Sequence, residues 1–314
     1  MENNLIVTSN PHITDNVSTR KLMGNVVISL VPCIIASAMI FGLRALLLTA
    51  VTTAACVGFE YLYCMLMKKP NPVGDLSAVV TGIILAMNFP VTLPLWMGIV
   101  GAFISIVLVK QLFGGLGYNF ANPALVGRIA LFSGFSSAMT NWKFPAAAVD
   151  QLSSATPLQV ADPSALNLMD LFLGVHGGVM GETCALAILI GFVWLVATKT
   201  ISPAIPVTYL ATVAVMSLLC GQNVMVQLLS GGLLFGAVFM ATDYVTSPFP
   251  LKGKVVFGIG LGIITSAIRF WGNMAEGVSF AILLMNLWVP YINDLTHQVP
   301  LGYKKPEKKK EAAK

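Results

Sequence analysis

The chain has 314 residues, 56% of them hydrophobic and only 10% charged, with a formal net charge of +5 and a mean hydropathy of +0.82. A soluble protein carries roughly 25% charged residues, so a soluble enzyme is excluded and an all-α polytopic membrane protein is expected. Its positive residues gather at the termini and in short connections, as in cytoplasmic loops, which excludes a nucleic-acid footprint.

Residues 1–21 read as a polar cytoplasmic segment. No small-residue cleavage site follows a short apolar run there, so no removable leader is expected. A first five-helix half, 22–135, contains apolar spans at about 22–42, 45–67, 76–88, 93–109 and 123–135. The last of these opens on Asn122-Pro123, where proline suits the first helical turn. A long interval of lower hydropathy, 136–181, follows. A second five-helix half, 182–293, contains spans at about 182–197, 204–219, 224–241, 255–270 and 278–292, before a basic tail, 294–314. Several spans fall short of the ~20 residues of a straight crossing, so broken, re-entrant or tilted helices are expected.

Ten spans with the N-terminus inside put Arg20, Lys21, Lys68, Lys69, Lys110, Lys199, Lys252, Lys254 and the tail on the cytoplasmic side. Only Arg44, Lys143 and Arg269 are left outside. The asymmetry predicts a cytoplasmic-membrane protein with both termini inside and the 136–181 interval on the outer face. Gly82 and Gly236 stand 154 residues apart, as do Val91-Thr92-Leu93-Pro94 and Val245-Thr246-Ser247-Pro248, and Lys110 corresponds loosely to Arg269. Five spans per half is odd, so the halves are expected to be inverted relative to one another, as in transporters.

Few residues offer chemistry at membrane depth. The five cysteines lie in or beside apolar runs without a C-x-x-C pair, and the three histidines avoid the long apolar runs, so no metal, cluster or haem site is expected. No catalytic residue is singled out either. Glu60 and Asp243 are ionisable inside expected spans and are candidates for an ion path, or for structural pairing; Arg128 is a third buried charge. Gly114, Gly115 and Asn122, in the stretch from Lys110 to Ala124, make either a re-entrant turn beside a cofactor cavity or an ordinary cytoplasmic turn. Gly174–Thr183 is a glycine-rich lead into a span, most simply a loop-to-helix junction with Glu182 in its first turn.

The remaining polar stretch is Asp150-Gln151-Leu152-Ser153-Ser154-Ala155-Thr156-Pro157-Leu158. A threonine hydroxyl is a poor nucleophile and has no His or Lys neighbour here, so self-catalysed chemistry at Thr156 is excluded. Its small neighbours suit modification by a separate enzyme, and a plain hydroxyl-rich surface loop is the alternative.

Asp150, Ser153, Ala155 and Thr156 resemble the flavinylation motif D-x-x-[ST]-G-A-T of the family that holds the B subunits of Na⁺-translocating NADH:quinone reductases and the D subunits of Rnf complexes. Ser154 stands where that family usually has glycine. The Lys110–Gly117 stretch with Asn122-Pro123-Ala124, and Gly177-Gly178 with Gly181-Glu182-Thr183, are similar to two further blocks of the family. The resemblance implies FMN joined through its phosphate to Thr156 by a flavin transferase, with a non-covalent riboflavin as a further flavin. Gly114, Gly115, Asn122 and Thr183 are weaker candidates for lining flavin cavities. It also implies a complex that couples electron flow between ferredoxin and NAD to Na⁺ or H⁺ movement. The partners would be a second flavin-carrying subunit, membrane iron–sulfur subunits and the lipid bilayer. The short N-terminal segment fits the Rnf branch better than the quinone reductase branch. A channel or transporter for small solutes is the rival from another class.

Overall fold

The computed structural model describes residues 17–142, 158, 167–174, 176–272 and 277–296. Asp150, Ser153, Ala155 and Thr156, Lys143 and the basic tail lie outside the described residues.

Every described element is helical. The first half comprises α1 (Thr19–Phe41), α2 (Leu43–Leu66), α3 (Ser77–Met87), α4 (Leu95–Phe103, continuing as a π-helix over Ile104–Gln111) and α5 (Pro123–Gly134). Two short helices follow, α6 (Ser136–Met139) and α7 (Leu168–Leu173). The second half comprises α8 (Ala185–Ala197), α9 (Ala204–Leu219), α10 (Val224–Leu229), α11 (Leu233–Phe235, continuing as a π-helix over Gly236–Met240), α12 (Leu251–Trp271) and α13 (Val278–Thr296). α1, α2, α12 and α13 are long and apolar enough to cross a membrane. They expose many apolar side chains, such as Met39, Leu43, Leu66, Trp271 and Leu295, to what a bilayer would cover.

The expected broken helices are present. The 11 residues of α3 rise about 16 Å, roughly half a bilayer. The span expected over 224–241 divides into α10 and α11 at Ser230-Gly231-Gly232, where both glycines take φ +69°. The interval 136–181 also holds a helix, α7. It is N-capped by Asn167, whose side chain accepts from Met169 N at 3.1 Å, and it buries Leu171.

A short helix, a V-T-x-P connection and a long helix recur in the two halves. α2 packs on α3 and α4, α9 packs on α12 and on the π-helical part of α11, and α1 packs on α8 across the halves. The expected correspondence of Lys110 and Arg269 has a geometric counterpart. Lys110 Nζ donates to Ser77 Oγ, the first residue of α3, at 2.6 Å. Arg269 Nη2 donates to the carbonyls of Ser230 (3.0 Å) and Gly231 (3.1 Å), just before α11. The Gly82 and Gly236 pair is less alike: a Cβ at Gly82 would meet Thr53 of α2, whereas one at Gly236 would meet Val278 and Ile282 of α13.

Candidate functional site

Where the halves meet, the chain leaves helix and its backbone groups are satisfied by other protein, as irregular backbone at membrane depth requires. Arg128, buried on α5, donates through Nη1 to Asn88 Oδ1 (3.0 Å) at the end of α3 and to Ser279 Oγ (2.7 Å) on α13. Asn122 caps α5 by accepting from Ala124 N at 3.1 Å and donates to Met240 O at 3.4 Å. The Asn286 amide of α13 stands between Thr246 O and Asn122 N, and the orientation that satisfies both has it donate to Thr246 O (3.0 Å) and accept from Asn122 N (3.2 Å). Asn122 is thus a tie between the halves.

Asn122 and Asp243 are brought together on one cavity of about 70 Å³, whose polar lining also includes Thr81, Thr242 and Tyr244. Asp243 lies in the connection after α11, with Oδ2 accepting from Thr246 Oγ1 at 2.9 Å.

Glu60 stands elsewhere, fully buried in a closed cluster. Its Oε1 is 2.6 Å from Lys110 Nζ and accepts from Gln111 Nε2 at 2.7 Å. Lys110 is only 2% exposed, so this lysine, expected as a loop charge, is a core residue. The Ser77 hydroxyl that receives Lys110 in turn donates to the half-buried Asp75, at 2.5 Å. The polar chain therefore runs from Glu60 through Lys110 and Ser77 to Asp75. Gly114 and Gly115 cap the end of α4 next to it: Gly114 N donates to Gln111 O (3.2 Å) and Gly115 N to Lys110 O (2.9 Å), with φ of +122° and +97°. Such φ values are strained for any residue with a Cβ. The turn beyond exposes Phe113, Leu116, Tyr118 and Phe120.

The second glycine-rich stretch is a buried wedge, not the simple junction expected. α8 begins only at Ala185, and Glu182 and Thr183 are buried ahead of it. Met180 N donates to Phe89 O (3.1 Å) and Gly181 N to Met87 O (2.7 Å), so the wedge is pinned to the end of α3. A Cβ at Gly181 would stand 2.7 Å from Met87 Cβ and 2.9 Å from Met87 O. Glu182 Oε1 accepts from Val179 N at 3.2 Å. His176 Nδ1 faces Gly177 O at 3.1 Å. Against the wedge lies Gly232, beside Glu182, and next in the chain is Gly231, whose own neighbours are Leu158 and Arg269. A Cβ at Gly231 would collide with Leu158 Cδ1 and with Arg269 Nη2, and one at Gly232 would stand 2.9 Å from Glu182 Oε2.

Sequence reasoning missed Lys110, Gln111 and Ser77 as partners of Glu60, and it missed His176, Glu182 and Arg269 around the wedge. Among the described residues no group of three His, Cys, Asp or Glu could hold a metal.

Broken half-spanning helices, buried charges and a glycine wedge between long apolar helices are the features of a polytopic membrane protein. The model of the NQR2, RnfD, RnfE family matches residues 6–302, and the chain belongs to that family. It is 43% identical, over 99% of both chains, to the D subunit of the Na(+)-translocating ferredoxin:NAD(+) oxidoreductase complex of Acetobacterium woodii. It is 35% identical, over 96% of this chain and 97% of the relative, to the D subunit of the proton-translocating ferredoxin:NAD(+) oxidoreductase complex of Clostridium ljungdahlii. The D subunit of an ion-translocating oxidoreductase complex of Stutzerimonas stutzeri is 36% identical, over 88% and 90% of the two chains.

Proposed function

We propose that this chain is the D subunit of an Rnf-type membrane complex that moves electrons between ferredoxin and NAD and couples that flow to Na⁺ or H⁺ transport. The observation that carries the reading is end-to-end similarity to the Acetobacterium protein, at 43% identity with no part of either chain left over beyond about one per cent. The relatives named above are all D subunits, which favours this branch of the family over the quinone reductase B subunit.

In this reading Thr156 carries FMN through a phosphate ester made by a flavin transferase, with Asp150, Ser153 and Ala155 as the recognised flank. Bound flavin supplies the electron-carrying chemistry, and the protein positions it. Support comes from Leu158, which lies against Gly231 and the Arg269 guanidinium. Leu158 stands two residues after Thr156 in the sequence. Gly114, Gly115, Asn122 and Thr183 are the further flavin-lining candidates, with riboflavin as their ligand. Glu60 and Asp243 are the ion-path candidates. The two five-helix halves are inverted, both termini are cytoplasmic, and Thr156 faces outward near a partner's flavin or iron–sulfur centre.

The test is fluorescence of the denatured band from the full chain co-produced with a flavin transferase. Thr156→Ala should abolish a signal that the parent shows. A band that persists in the variant refutes attachment there, and a dark parent chain favours a solute channel.

A further inference from the structure

Another cavity, of about 440 Å³, opens where α8 ends and α9 and α12 begin. Its size is ordinary for a small-ligand site, about 300–1,000 Å³. Lys199 and Lys254 line it, together with Ser202, Ser247 and Tyr244. No carboxylate stands in its wall among the described residues. Asp243, the nearest acid in sequence, lines the neighbouring cavity, where Thr246 donates to it at 2.9 Å. Neither lysine has an ion-pair partner among the described residues.

The wall is furnished with donors. Ser247 is 8% exposed, and no hydrogen bond to a described residue occupies its hydroxyl, so an O–H is left to the cavity. In the first turn of α9, Ser202 Oγ accepts from Ala204 N at 3.4 Å. The Ile205 amide, also in the wall, has no intrahelical acceptor and sits at the positive end of the helix dipole. Tyr244 OH donates to Thr200 O, which ties the connection before α12 to the end of α8. Lys199 takes φ +54°, in the left-handed position after a helix that glycine usually fills. Bonds from Lys199 N to Val196 O (3.0 Å) and Thr200 N to Leu195 O (2.9 Å) hold it there. The complementary ligand is an oxygen-rich anion, such as a phosphate.

The surroundings decide its source. Val196 of α8 lines the cavity, and Val193, Leu189 and Leu186, all exposed, continue its face of the helix away from it. That apolar track is about 15 Å long. Trp194 and Tyr244, both partly exposed, carry the amphipathic rings that gather at the membrane–water boundary. We propose that the cavity seats the headgroup of an anionic phospholipid. Lys199 and Lys254 face the phosphate charge, Ser247 and the Ile205 amide donate to its oxygens, and an acyl chain lies along Val196, Val193, Leu189 and Leu186. A dissolved phosphate ion would meet the same cations but leave the track bare. The site is independent of Thr156 and of flavin attachment.

The experiment titrates the full chain, in mild detergent, with phosphatidylglycerol or phosphatidylcholine and reads bound lipid by native mass spectrometry. Each lysine facing an anionic headgroup is worth about a fivefold change in binding. The parent should bind phosphatidylglycerol well above phosphatidylcholine. Lys199→Gln combined with Lys254→Gln should weaken phosphatidylglycerol binding about 25-fold, and the corresponding pair of Lys→Arg changes should keep it. Lys68→Gln with Lys69→Gln removes the same charge from exposed positions at the end of α2 and should leave binding at the parent's level. Lys199→Gln alone, also at an exposed position, should weaken binding about fivefold, and it carries the test if the double variant melts early. Equal losses in the two Gln pairs, or a parent without preference for the anionic lipid, overturn the site. Inorganic phosphate that displaces the lipid at equal concentration overturns the lipid assignment and makes free phosphate the occupant.

Discussion

Lys110 Nζ lies 2.6 Å from Glu60 Oε1, and the two side chains are 3% and 0% exposed. Fifty positions separate them in sequence, on α4 and α2, so the pair fastens the π-helical end of α4 to α2. Breaking a buried ion pair leaves an uncompensated charge and costs about 3–5 kcal/mol, whereas replacing both partners with apolar groups is often neutral. Glu60→Gln and Lys110→Met should each lower the detergent melting temperature sharply, and the double variant should recover most of the loss. Additive losses in that cycle would show that the charges are not coupled. Transport measured in the double variant also separates the two roles of Glu60, since an ion path through its carboxylate would stay dead in a restored fold.

Gly181 has no room for a methyl group. A Cβ there would face Met87 Cβ and backbone O and, at 3.1 Å, Phe235 Cε2, and the 2.7 Å bond from Gly181 N to Met87 O forbids retreat. Gly181→Ala should cost about 1–3 kcal/mol by overpacking. Gly117→Ala meets nothing within 4 Å and carries only the strain of φ +95°, about 1–2 kcal/mol. Thermal melts of the two variants should rank them in that order, and an equal or reversed ranking would mean that the wedge yields.

Hydropathy made the long helices legible because α1, α2, α12 and α13 leave more than half of their apolar windows unburied, where composition alone decides. It also made the broken ones legible, since short apolar runs cannot cross a bilayer. It failed where a partner far along the chain decides. Lys110 ends an apolar run and so reads as a loop cation, and nothing nearby in sequence announces Glu60 beneath it. Glu182 and Thr183 read as a helix start because acidic and hydroxyl residues favour first turns, yet bonds to Phe89 and Met87 hold that backbone as a wedge. α7 is six residues long, too short for periodicity to register, though Asn167 before an apolar run was a usable cap signal.

Arg128 holds both halves through one nitrogen, donating to Asn88 and Ser279. Its planar fork serves two acceptors in fixed directions, which a lysine ammonium on a thinner stem does not reproduce. Charge-assisted bonds of this kind contribute about 1.5–3 kcal/mol each. Arg128→Lys should therefore destabilise the chain despite keeping the charge, and Ser279→Ala should cost less, because Asn88 remains. Melting temperatures of the two variants decide it, and equal stability of Arg128→Lys and parent would show that charge alone suffices.

Asp243 shares its cavity with Asn122, Thr81 and Thr242, so a cation there would meet one carboxylate and several neutral oxygens. Hard monovalent and divalent ions favour oxygen donors of this kind. If the proposed ion path runs here, Asp243→Asn should leave the complex assembled and its flavins in place but cut ion uptake into inverted vesicles by about tenfold, the cost of roughly 1.4 kcal/mol at the site. Electron transfer from ferredoxin to NAD⁺ should persist in vesicles made leaky to ions, which separates loss of the path from loss of the redox chain. Thr246 donates to the same carboxylate at 2.9 Å, so Thr246→Val should produce a milder loss in the same direction. Uptake undiminished in Asp243→Asn would place the ion path elsewhere and leave Asp243 as a cap for the connection before α12.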